Sequence, residues 1–277
     1  MKIGIVTDNT ANLSQEYYEK NDIGVVSLYI RRNGGFVKAI NIDPLAYYRE
    51  IRDSKINPQT SQPSPADFRE VYESMLKKYD FLISVHISGK LSGTVDSARL
   101  AATEFGGKVE VVDSQTTSSG LGFLVMKLVE LRNEGFSHKA LINYAREFHN
   151  SVRIIFNVRD LMYLHKGGRI GKAKALLGKI LRIHPILELK NGEVVPADTA
   201  RLRKRMFKKM LRLGRIEGRD FKKAVVLHTD NLKEAMILKD LVEEEYGNDS
   251  RVSVGVCDVV IGTHLGPGGV GIISLWE

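Results

Sequence analysis

Residues 81–104 read FLISVHISGKLSGTVDSARLAATE: an apolar run, a turn rich in glycine and hydroxyls, then a helix-like segment. A short apolar run that stops at turn residues is the signature of a buried strand, and the segment after it has the spacing of a helix. The same order recurs through the first half of the chain. KIGIVTD (2–8), GVVSLYI (24–30) and KVEVVDS (108–114) are further strand-like runs. Helix-like segments lie between them at 14–20, 44–53, 65–79 and 94–104. Strands alternating with helices predict an α/β domain over residues 1–150, a parallel sheet with helices on both faces. A mostly apolar helix over 120–133 and an amphipathic one over 137–150 complete it.

The pattern changes after residue 150. RIIFNV, HPILEL, GEVVPAD, KAVVLHTD, RVSVGVCDVV and GVGIISLW form a strand-rich set. Asn191-Gly192 between two of them suits a tight hairpin that needs positive φ. Residues 151–277 are therefore expected to form an α+β domain with a mixed sheet. The single cysteine, Cys257, reads as a buried thiol in the strand VSVGVCDVV, and one cysteine excludes an intramolecular disulfide or a cysteine metal cluster.

At 277 residues and 43% hydrophobic content the chain can bury two sizeable cores. It has no apolar run of about eighteen residues, and MKIGIVTD is not a signal peptide, so a cytoplasmic protein is expected. The formal charge of +8 favours anionic partners. Much of it lies in RLRKRMFKKMLRLGR (201–215), where Met206, Phe207, Met210, Leu211 and Leu213 make an apolar stripe under a cationic helix face. A solvated surface, an acidic protein partner and nucleic acid all remain open for that face, although no groove-reading motif accompanies it.

The spacing of the turn removes one chemistry and weakens another. A phosphate-binding P-loop needs lysine between the second glycine and the hydroxyl residue, and here Gly93 is followed directly by Thr94. A hydrolase elbow needs GxSxG, whereas GKLSG (89–93) places its serine one position late, so a nucleophilic Ser92 is a weak alternative. The amides of Gly93 and Thr94 and the hydroxyls of Ser92 and Thr94 could together hold an oxyanion. They could equally cap their own helix.

Other polar loops accompany this one. Asp8-Asn9-Thr10 ends the first strand, and Asp113-Ser114 with 116–119 (TTSS) follows another, which puts hydroxyls at the carboxyl ends of strands, where α/β sheets bind ligands. In QTSQPSP (59–65), Ser64 is a natural N-cap and Pro65 a first-turn residue, so the hydroxyls of Thr60 and Ser61 are not used in that cap. The second half adds HKGGRIG (165–171), which carries Arg169, and GTHLGPGG (262–269), which carries His264.

Taken jointly, TDNTANL, TSQPS, SGKLSGTVDSA, VVDS, YLHKGGRIGKAKALLG, the PILEL…NGEV hairpin and THLGPGGVG resemble the DegV family of bacterial fatty-acid-binding proteins, which includes the binding subunits of fatty acid kinase. The resemblance implies two domains with a long-chain fatty acid in a tunnel between them. Thr60 and Ser92 are then expected to donate to its carboxylate, with His264 beside it and Arg169 near the head group. Ser61, Gly93 and Thr94 join this ligand-binding set from the reading of the loops. Arg201 is expected to dock a partner, the ATP-binding kinase subunit, which makes the acyl phosphate. Asn9 and Asn12 stand where the family often has serine and aspartate. The chain itself is then a monomeric lipid carrier without catalytic residues, metal or cofactor beyond its ligand, and it binds no nucleic acid. Residues 120–126 and 259–262 are candidate tunnel walls.

Overall fold

The first 149 residues carry β1 (Ile3–Asp8), α1 (Gln15–Lys20), β2 (Gly24–Val26), β3 (Tyr29–Arg32), β4 (Gly35–Lys38), α2 (Pro44–Ser54), β5 (Thr60–Ser61), α3 (Pro65–Leu76), β6 (Phe81–His86), α4 (Thr94–Ala102), β7 (Val109–Asp113), α5 (Ser118–Asn133) and α6 (His138–Glu147). These elements belong to a computed structural model that describes residues 1–32, 34–54, 58–178, 183–247 and 251–277. The chain divides into two units, Met1–Asn41 with Thr60–His149 and Ile42–Gln59 with Asn150–Glu277.

In the first unit the four apolar runs form a parallel sheet in the order β2-β1-β6-β7. Strands in such a sheet are buried on both faces, which is why they read as continuous apolar runs. On one face Val6, Leu82 and Val109 meet Phe68, Tyr72 and Met75 of α3 and Ala98 and Ala101 of α4. Strand alternation sends Ile5 and Thr7 to the other face, where α5 and α6 pack. Helix starts follow their caps. Ser14 accepts from the Tyr17 amide, Ser137 from that of Ala140, and Ser64 forms a capping box with Asp67 ahead of Pro65.

The second unit contains β8 (Val152–Asn157), α7 (Met162–Lys166), β9 (His184–Lys190), β10 (Glu193–Ala200), α8 (Arg203–Leu213), β11 (Phe221–His228), α9 (Leu232–Tyr246), β12 (Val252–Val256), α10 (Val259–Leu265) and β13 (Val270–Trp276). Its sheet runs β10-β9-β8-β13-β11-β12 and is mixed, with β11 and β12 parallel and the other neighbours antiparallel. Asn191 and Gly192 both take positive φ, 48° and 78°, as the β9–β10 hairpin requires. Met206, Phe207, Met210 and Leu211 of α8 pack with Ala235, Leu238 and Val242 of α9 onto Ile155, Ile186, Val226 and Ile272. Several cations of α8 are paired, Arg203 with Glu234 at 2.9 Å and Lys209 with Asp198 at 2.8 Å.

Three readings of the sequence are corrected. GVVSLYI is not one strand: β2 pairs with β1, while β3 leaves to form a small antiparallel sheet with β4 and β5. The break is fixed at Leu28, whose amide donates to Asn9 Oδ1 at 2.7 Å. Cys257 is buried but lies beyond β12, because Asp258 accepts from the amides of Val260 and Ile261 and starts α10 there. The passage at 149–150 separates the units, yet residues 42–59, placed by the sequence reading in a 1–150 domain, pack with the second unit. Among the described residues no helix is long and apolar enough to cross a membrane.

Candidate functional site

Beyond β6 the chain tightens into a turn in which the amides of Leu91 and Ser92 donate to Ser88 O at 2.9 and 3.1 Å. Gly93 then occupies the N-cap of α4, and no side chain caps that helix. The hydroxyls of Ser92 and Thr94 bond to each other at 2.8 Å instead of to the helix amides. Self-capping, which the sequence left open, is therefore not what these hydroxyls do. An uncapped helix start beside two hydroxyls gathers the kinds of donor that suit a negatively charged oxygen.

The loop holding Thr60 and Ser61 lies against this turn. Both residues are half-buried and pair as β5 with Ile30 and Tyr29. The next residue, Gln62, donates from Nε2 to Ser97 Oγ at 3.0 Å and lies so close over Gly93 that a Cβ there would sit 2.1 Å from its Oε1. A side chain at 93 would have to displace the amide tip of Gln62, which now lies over the glycine. Sequence reasoning found both loops but not Gln62, which joins them.

A buried polar chain underlies the turn. Asp8 Oδ1 accepts from the amide and hydroxyl of Thr10 at 3.0 and 2.5 Å, and Oδ2 accepts from the Ile87 amide at 3.0 Å. His86 Nδ1 lies 3.1 Å from Oδ2, its Nε2 lies 2.6 Å from Ser84 Oγ, and Ser84 lies 2.9 Å from the Tyr72 hydroxyl. One assignment satisfies every group: Tyr72 donates to Ser84, Ser84 to His86, and His86 to Asp8. The order imitates a serine-hydrolase relay, but all four side chains are fully buried, so here it fixes the ends of β1 and β6. The β7 loop is tied in as well, with the Gly89 amide donating to Asp113 Oδ2 at 3.2 Å and the Ser88 amide to Thr116 O at 2.9 Å.

In the second unit the structure brings Arg169 and His264 together. After α7, Gly168 takes φ 73° and the Arg169 amide returns to Leu164 O at 3.0 Å, closing the helix. Arg169 Nη1 donates to Gly167 O at 2.7 Å. A Cβ at Gly167 would stand 2.2 Å from His264 Nδ1, so the imidazole of α10 rests on that turn. Helix α2 positions α10 through Tyr47 to Thr263 at 2.7 Å and Tyr48 to Cys257 O at 2.7 Å. Arg201 is exposed just before α8.

Burial, and then the charge of Arg169, lower the pKa of His264 to about 4 from 6.5. Its imidazole is neutral at pH 7. Between pH 6.5 and about 4 the unfolded chain takes up the proton more readily, so folding stability falls as the pH drops through that window, by up to about 3 kcal/mol. His228, lowered by burial, acts in the same direction. His264→Asn should shrink the loss measured by urea unfolding at pH 7 and pH 4.5; an unchanged loss would contradict the assignment.

Residues 2–277 match the family model described as "Uncharacterised protein, DegV family". Protein DegV of Bacillus subtilis (strain 168) is 33% identical over 281 residues, covering 98% of each chain, and a DegV domain-containing protein of Deinococcus radiodurans is 33% identical with the same coverage. Among solved structures, a fatty-acid-binding DegV family protein from Thermus thermophilus is 37% identical with a TM-score of 0.94 over 100% of both chains. DegV of Bacillus subtilis, solved as a fatty acid binding protein, is 31% identical with a TM-score of 0.87, again over 100% of both chains. This chain belongs to the DegV family.

Proposed function

We propose that this protein binds a long-chain fatty acid and presents its carboxylate to a partner kinase. The observation that carries the reading is the uncapped start of α4, where Ser92 and Thr94 hydroxyls stand beside free-facing helix amides and Gln62 draws in the Thr60-Ser61 strand. Its support from outside is the fatty-acid binding of the Thermus and Bacillus relatives. Hydroxyl and amide donors hold a carboxylate by charge-assisted hydrogen bonds without neutralising it, so an oxygen stays nucleophilic. Arg169 and His264 receive head-group roles in the same proposal, with His264 as a neutral hydrogen-bonding group. Burying an acyl tail contributes about 0.8 kcal/mol per methylene, which favours a carrier with a hand-off step.

In this reading a carboxylate oxygen attacks the terminal phosphorus of ATP held by the kinase subunit, giving acyl phosphate and ADP. This chain supplies binding and orientation, and the partner supplies nucleotide and metal. Exposed Arg201 and the adjoining cationic face of α8 are the proposed docking surface, on a monomer acting in the cytoplasm.

Organic extraction of the purified protein followed by mass spectrometry should release a fatty acid. Finding none, together with no uptake of added palmitate, would sink the proposal. Thr60→Ala with Ser92→Ala should weaken palmitate binding by roughly ten- to a hundredfold with an unchanged urea midpoint, since each lost bond to a charge is worth about 1.5–3 kcal/mol less any compensation by water. Equal affinity in the double variant would remove both residues from the site.

A further inference from the structure

The start of α5, unlike the capped starts of α3 and α6, has a cluster of unbonded hydroxyls. Its N-cap, Thr117, is extended at φ −161° and ψ 178°, and no side chain caps the helix. Thr116, Thr117 and Ser118 are 3%, 6% and 4% exposed, and each buries a hydroxyl oxygen that has no hydrogen-bond partner. Thr7, on the sheet face that packs against α5, buries a fourth. Neighbouring groups are satisfied: Ser114 Oγ donates to His86 O at 2.6 Å and accepts from the Thr116 amide at 3.2 Å. A buried hydroxyl left unbonded costs about 1–3 kcal/mol, so three in succession at one helix start call for an acceptor supplied from outside the chain.

We infer that Thr116, Thr117 and Ser118, with the first amides of α5, form a further carboxylate cradle, an inference that rests on the fatty-acid reading and extends its head-group site. The cradle adjoins the Ser92 turn, because the amide of Ser88, where that turn begins, donates to Thr116 O at 2.9 Å. The charge around it selects the ligand. Asp113 lies three residues before Thr116 and accepts from the Gln115 and Gly89 amides, while residues 113–121 contain no lysine or arginine. A phosphate dianion would meet that carboxylate with no cation in the 113–121 segment to offset it. A carboxylate carries half the charge and fits neutral donors at a helix N-terminus.

The test is calorimetric titration of the intact protein with palmitate, butyrate and inorganic phosphate, comparing wild type, Thr117→Val/Ser118→Gly and Thr117→Ser. Glycine is chosen at 118 because Ser118 has φ 54°. Valine keeps the shape of threonine and removes its hydroxyl. The expected result is at least a tenfold loss of palmitate affinity in the double variant, near-wild-type affinity in Thr117→Ser, and no phosphate binding by any form. Butyrate binding that follows the same order would mark the site as one for carboxylates in general, which also supports the inference. A double variant that is more heat-stable and binds palmitate as wild type does would overturn it, since the hydroxyls would then be merely buried. Phosphate binding lost in the double variant would overturn the carboxylate assignment. If wild type binds no acid at all, the fatty-acid reading falls, and this inference with it.

Discussion

Asp8→Ala is expected to lower the unfolding free energy by about 4 kcal/mol, read as a shift of the urea midpoint followed by far-UV circular dichroism. The carboxyl group is fully buried and takes bonds from the Thr10 amide and hydroxyl, the Ile87 amide and His86 Nδ1. Alanine leaves all four donors unsatisfied in a place that water does not reach, and each such group costs about 1–3 kcal/mol after relaxation. The loss spreads along the relay, since His86 then has no acceptor to fix its tautomer against Ser84 and Tyr72. Asp8→Asn should cost less, about 2 kcal/mol, because one amide oxygen can still accept while its NH2 faces donors. A loss below about 1 kcal/mol for Asp8→Ala would show that the chain of bonds is not what holds the ends of β1 and β6 together.

That relay also shows what the sequence could reveal about the site. Ser84 and His86 interrupt an apolar run two residues apart, and the period of a strand places both on one face. Their partner, Asp8, was visible only as a polar strand end, because pairing β1 with β6 is a long-range event that no local pattern encodes. The hydroxyl-bearing turn at 88–94 was legible from composition and spacing. Gln62, which bridges it to the Thr60 strand, was not, since an exposed glutamine in a polar loop has no distinctive periodicity.

The fold divides in the same way. Parallel strands buried on both faces announce themselves as apolar runs, so β1, β6 and β7 were readable. GVVSLYI concealed a change of sheet, because hydrophobicity does not record that Asn9 captures the Leu28 amide. CDVV read as the end of a strand through its β-branched residues, although Asp258 among them is the cap of a helix that runs on to its stop at Gly266. The excursion of residues 42–59 into the second unit was illegible, since α2 has an ordinary amphipathic pattern and its destination depends on Tyr47 and Tyr48 meeting α10.

That contact carries the other large effect. Gly262 sits so close to Tyr48 that an added Cβ would stand 1.9 Å from its hydroxyl and 2.3 and 2.4 Å from Cε1 and Cζ. Ordinary carbon contacts begin near 3.5 Å, so Gly262→Ala forces the ring or the helix to move. The ring is held, being wholly buried with its hydroxyl bonded to the carbonyls of Cys257 at 2.7 Å and Asp258 at 3.0 Å. The expected loss is about 3 kcal/mol, at the upper end of ordinary overpacking, because the obstacle is an anchored ring and not the tip of a flexible chain. Tyr48→Leu should cost a similar amount by itself through the vacated volume and the lost bonds. Combined, the two should destabilise by at least about 1 kcal/mol less than their sum, since removing the ring makes room for the methyl group. Strict additivity in urea unfolding would mean that the ring is not what excludes a side chain at 262. Since α10 also carries His264, Gly262→Ala should weaken palmitate binding under conditions where the variant remains folded, whereas Tyr48→Leu/Gly262→Ala should recover part of that affinity. Recovery of stability without recovery of binding would separate the support of α10 from the placement of its imidazole.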